Sequence, residues 1–157
     1  MRVVICCLLA SSVLAATPCR AQTPEQHGAA YARAMAAAER TLHAWLRAAD
    51  PTTTLMPDRV TGEARVATPH NFAADLYPYL ILTAKLTDPP LYDGKMLEML
   101  RNEVRYTTAS GSVPANYDLT TRTLGPASLF GAGEYAKDGL ITVTELLGRT
   151  PWFYRMA

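Results

Sequence analysis

The chain has 157 residues, 18% of them charged, with 15 Lys+Arg against 14 Asp+Glu. A balance so close to neutral gives no electrostatic case for binding nucleic acid. The three cysteines, Cys6, Cys7 and Cys19, all precede Arg20, so the rest of the chain has no disulfide framework, cysteine nucleophile or Cys-based metal site.

Arg2, the apolar run Val3 to Ala10 and the exit Cys19-Arg20-Ala21 read as a secretory signal peptide over residues 1–21. Its apolar stretch falls short of the about 20 residues a spanning helix needs, and no later run is longer. The expected mature domain, residues 22–157, is exported to the periplasm or the extracellular space, with no membrane contact after cleavage. Removing residues 1–21 takes away Arg2 and Arg20 and no acid, so the mature net charge turns slightly negative.

Thr23-Pro24-Glu25-Gln26 has the pattern of a capping box with Pro at the first helical position. The Ala-rich segment behind it predicts a helix whose apolar stripe runs through Tyr31, Met35, Ala38, Leu42, Trp45, Leu46 and Ala49, ending at Asp50-Pro51. Residues 52–69 read as a long loop. A second helix opens at Asn71 or Asp75 and runs to about Thr87, with Pro78 in its first turn or at a kink. After Asp88-Pro89-Pro90, a third helix spans about 91–107, with Met96, Leu97, Leu100 and Val104 inward. The short connection predicts an antiparallel hairpin. Residues 109–126 read as loop. A fourth helix runs from about Ala127 to Leu147, with Gly148 as terminator; glycines inside it suggest close approach of a helix or a ligand. Thr150-Pro151 opens a fifth helix that stops about two turns later.

No segment shows sustained strand alternation, so the expected class is all-α, built from antiparallel helical hairpins. The segments Pro69 to Leu80, Phe130 to Leu140 and Glu145 to Trp152 resemble the N-terminal hairpins of exported bacterial proteins of the (α/α)-toroid, or six-hairpin, architecture. That resemblance implies a partial toroid over residues 22–157 and a function in saccharide binding or processing by hydrolysis, elimination or epimerisation. It also implies that missing C-terminal hairpins, or a partner chain, complete the fold.

The polar cluster Glu134-Tyr135-Ala136-Lys137-Asp138 places two carboxylates four residues apart on one helix face. Paired carboxylates can act as general acid and base on a glycosidic bond; a Glu134–Lys137 surface ion pair fits the same spacing. His70, Asn71 and Asp75 gather at the mouth of the second helix. Asp75 is a candidate catalytic carboxylate or a helix cap, and His70 a candidate base or substrate contact. The candidate catalytic set is therefore Asp75, Glu134 and Asp138, with His70, Asn71, Tyr77, Tyr117 and Lys137 as substrate contacts. Aromatic faces such as Tyr77 and Tyr117 stack on sugar rings or fill cores. His27 and His43 do not come together on the first helix, no metal cluster is visible, and no cofactor motif occurs. A non-catalytic helical binding or scaffold module, or a truncated reading frame, are the other readings.

Overall fold

The structure is a computed structural model that describes residues 23–157 apart from residue 64. The expected signal peptide lies outside these residues. Among the described residues five helices form, close to where the sequence places them. Helix α1 (Pro24–Ala48) starts on the predicted capping box: Gln26 N donates to Thr23 Oγ1 at 3.3 Å and Thr23 N to Gln26 Oε1 at 2.9 Å. Its apolar stripe is used only in part. Leu42 is buried and Trp45, Leu46 and Ala49 pack against the core, but Tyr31 is exposed.

Helix α2 covers residues 69–87 in two parts. Pro69–Leu76 is π-helical and Tyr77–Thr87 is α-helical. Pro78 supplies the reason. It has no N–H to give the carbonyl of Ala74, and the turns before it widen, so that Tyr77 N donates to Phe72 O. Asp75 sits inside the wide turns, and the helix begins at Pro69 after Thr68, so neither Asn71 nor Asp75 is its cap. Asp88 caps the next helix by accepting from Leu91 N at 3.0 Å. Helix α3 (residues 89–107) contains a second wide segment, Tyr92–Met96, and continues as Leu97–Thr107. It meets α2 around the turn, where Lys85 Nζ lies 4.5 Å from the Tyr92 ring centroid.

The all-α expectation is corrected here, and the partial toroid with it. Between α3 and the next helix the chain forms strands β2 (Thr108–Ser110), β3 (Val113–Asp118) and β4 (Thr123–Ala127), and β3 also pairs with β1 (Val66–Ala67). All pairings are antiparallel, with Ala67 opposite Tyr117 and Tyr117 opposite Leu124. These strands are short and carry turn-type residues (Pro114, Asn116, Gly125, Pro126), which hides the alternation of Val113, Ala115 and Tyr117. Pro126 lies on a peripheral strand, where a missing donor is tolerated.

Helix α4 (residues 129–147) also has a wide middle: Leu129–Glu134, π-helical Tyr135–Ile141, then Thr142–Leu147. Ser128 caps it, accepting from Gly131 N at 3.0 Å. Gly148 ends it with φ +73° and ψ −139°, a positive-φ backbone that favours glycine. The expected close approach is found at Gly139, where a Cβ would stand 2.7 Å from the carbonyl oxygen of Ala73. The last helix, α5 (Pro151–Met156), is docked against α3 and α4 through Trp152, which is fully buried. The core joins Leu42, Leu55, Met56, Phe72, Leu80, Ile81, Met99 and Leu100 to Tyr135 and Trp152.

Candidate functional site

The densest polar cluster lies in the core. Glu103 on α3 is fully buried and accepts from Tyr135 Oη at 2.6 Å, Trp152 Nε1 at 2.9 Å, Thr107 Oγ1 at 2.6 Å and Arg155 Nη1 at 3.0 Å. Arg155 is buried as well, so the ion pair is removed from water. Three segments of chain are tied to one carboxylate. Burial holds the Tyr135 phenol well above its ordinary pKa, and the charge of Glu103 adds to that. Such a cluster fixes the fold; a substrate has no route to a carboxylate with no exposed surface.

The sequence-predicted residues divide into three groups. Tyr77 and Tyr117 belong to the core: Tyr77 packs on Phe72 and Trp152 with ring centroids 5.0 and 5.6 Å away, and Tyr117 on Tyr106 at 5.7 Å. Burial pushes the Tyr77 phenol well above the usual tyrosine value. Glu134, Lys137 and Asp138 form an outward cluster, with Lys137 Nζ 3.5 Å from Glu134 and 3.2 Å from Asp138. Asp138 first, then Glu134, hold the ammonium above its usual pKa.

The third group surrounds the start of α2. Asn71 Nδ2 donates to Asp58 Oδ2 at 3.0 Å and to Thr68 Oγ1 at 3.1 Å, while Thr68 N donates to Asp58 Oδ1 at 2.9 Å. Asp75 is exposed. His70 is half-buried, its Nδ1 is enclosed without a hydrogen-bond partner, and its ring centroid lies 6.5 Å from that of Phe130. Phe130 itself is 74% exposed, which is unusual for a phenylalanine beside an unsatisfied imidazole. A methyl group on Gly131 would sit 3.4 Å from His70 Nδ1 and 3.1 Å from Ser128 Oγ, so the glycine lets these two groups approach one point.

The sequence reading missed Glu103, Arg155, Phe130 and Ser128. Glu103 and Thr107 lie three and seven residues past Leu100, on the stripe of Met96, Met99 and Leu100. A Glu on an apolar stripe, with an Arg beside Trp152 to answer it, was the available signal.

Among the described residues no cluster of three or more His, Cys, Asp or Glu forms a metal site, and no helix is long and apolar enough to cross a membrane. Comparison with family models, with curated proteins and with solved structures finds no match to this chain.

Proposed function

We propose that the protein is an exported saccharide-binding domain whose binding surface lies along the contact of α2 and α4, around His70 and Phe130. The observation that carries the reading is the pairing of an exposed Phe130 ring with the half-buried imidazole of His70, their centroids 6.5 Å apart. A sugar ring offers an apolar face to an aromatic side chain and hydroxyls to polar groups at its edge. His70 is half-buried, so the part of its imidazole that reaches the surface can meet a ligand hydroxyl.

The packing of the two helices supports the same surface. They meet at two glycines: a Cβ on Gly131 would lie 3.4 Å from His70 Nδ1, and one on Gly139 2.7 Å from the Ala73 carbonyl oxygen. The wide helical turns of both segments pack together here, and such turns recur at functional sites.

Binding without hydrolysis is favoured. A general acid for a glycosidic bond needs a carboxyl kept protonated by an apolar surrounding. Glu134 and Asp138 are partly exposed and share the Lys137 ammonium, which suits hydrogen bonding to hydroxyls better than proton donation. The test is calorimetric titration of the protein with neutral tetrasaccharides of glucose, mannose and galactose, followed by a reducing-end assay. Saturable binding to one of them, lost in Phe130→Ala and in His70→Ala without release of new reducing ends, is the expected result. Absence of binding to every tetrasaccharide overturns the proposal, and release of reducing ends overturns its non-catalytic part.

A further inference from the structure

A second site stands on other elements, in a cleft of about 490 Å³ between α3 and α5. Leu97 and Val104 give it an apolar wall, Tyr154 stands at its rim with 68% of its surface exposed, and Arg101 and Arg149 bring two guanidiniums to it. None of the ion pairs among the described residues engages either arginine. Arg149 is instead oriented by Phe153, its guanidinium carbon 5.8 Å from the ring centroid. Thr150 completes the wall. It is 3% exposed, and its Oγ1 has no hydrogen-bond partner. Thr150 precedes α5 in the position of an N-cap, but its side chain makes no capping bond, so the hydroxyl is not spent on the helix.

We propose that this cleft binds an organic monoanion, a carboxylate or sulfate ester carried on an apolar ring. Each part has a counterpart in that chemistry. The planar guanidinium fork matches the paired oxygens of a carboxylate or sulfate. The apolar wall and the Tyr154 ring take the ring of the ligand. A rotation of Thr150 about χ1 turns its hydroxyl toward the bound oxygens and satisfies a donor otherwise left unpaired. The volume lies within the range of small-molecule pockets.

Phenyl sulfate and benzoate are the probes, with benzyl alcohol and inorganic sulfate as the uncharged and ring-free controls, each titrated into the full chain and followed by calorimetry. Both probes are expected to bind about tenfold or more tightly than either control. Arg101→Gln with Arg149→Gln is expected to weaken both by at least about tenfold. Thr150→Val should weaken them by about tenfold with the thermal midpoint unchanged or raised, because the removed hydroxyl had no partner. If the arginine variant does not fold, salt dependence decides: affinity of the unaltered chain falls with added sodium chloride when guanidiniums carry the binding. Equal binding of benzyl alcohol, binding indifferent to salt and to the substitutions, or no saturable binding up to about 10 mM overturns the proposal.

Discussion

Replacing Glu103 by Ala removes the acceptor of four different donor groups at once. The consequence is governed by what stays behind. Arg155, whose side chain is 1% exposed, keeps its charge with no carboxylate to meet it, and Tyr135 Oη and Trp152 Nε1 lose their only hydrogen bonds among those described. Breaking a buried ion pair by removing one partner costs about 3–5 kcal/mol. At roughly 4 °C per kcal/mol for a domain of this size, the thermal midpoint falls by about 12–20 °C. Glu103→Gln keeps an acceptor oxygen and should lose less, about 2 kcal/mol, because the arginine charge alone is uncompensated. The assay is urea unfolding followed by circular dichroism, with Trp152 fluorescence as a second probe, run as a double-mutant cycle with Arg155→Ala. The two substitutions should couple by about 2 kcal/mol or more, the double variant losing far less than the sum. A Glu103→Ala protein within about 1 kcal/mol of the parent, or a cycle that closes additively, would refute the claim that this pair holds α5 to α3.

Other substitutions and conditions follow from the same contacts. Gly139→Ala drives a Cβ to 2.7 Å from the Ala73 carbonyl and should destabilise by about 1–3 kcal/mol in thermal unfolding, whereas Gly133→Ala meets nothing within 4 Å and should gain up to about 1 kcal/mol of helix propensity. Alkaline stability is set by Tyr77 and Tyr135, whose phenols the fold holds well above the ordinary value of 10.0. Below that value both states keep their protons and the stability is fully present; above it the unfolded chain releases two protons that the folded one retains. Unfolding free energy should therefore fall by about 2.7 kcal/mol per pH unit above pH 10, measured by urea titrations at successive pH values; a flat profile there would contradict the burial of these phenols. Phe130→Ala, with its ring exposed, should leave the unfolding free energy within about 0.5 kcal/mol of the parent while abolishing saccharide binding.

Much of the helical framework was legible because it rests on local chemistry. The Thr23-Pro24-Gln26 cap, the Asp88 break and the Gly148 terminator each act within a few residues and appear where the sequence puts them. The sheet was not legible. Its central strand, Val113–Asp118, is stabilised by partners drawn from residues 66–67 and 123–127, and its own composition reads as turn. The wide turns around Pro78 follow from a missing donor, a signal that was read as a choice between first turn and kink. Among the candidate site residues, the Glu134–Lys137 contact matches its spacing, but the burial of Tyr77 and Tyr117 depends on tertiary neighbours no local pattern encodes. Likewise Trp152 and Arg155 of the last helix find their partner in Glu103, more than forty residues upstream.

The central claim concerns one imidazole ring. Long-range proton–nitrogen correlation spectra of the imidazoles resolve His70 on α2 from His27 and His43 on α1. Titration with the tetrasaccharide that binds is predicted to shift the imidazole resonances of His70 as the ligand meets that ring, leaving the other two unchanged. Saccharide binding with His70 silent, or shifts confined to His27 or His43, would contradict the account.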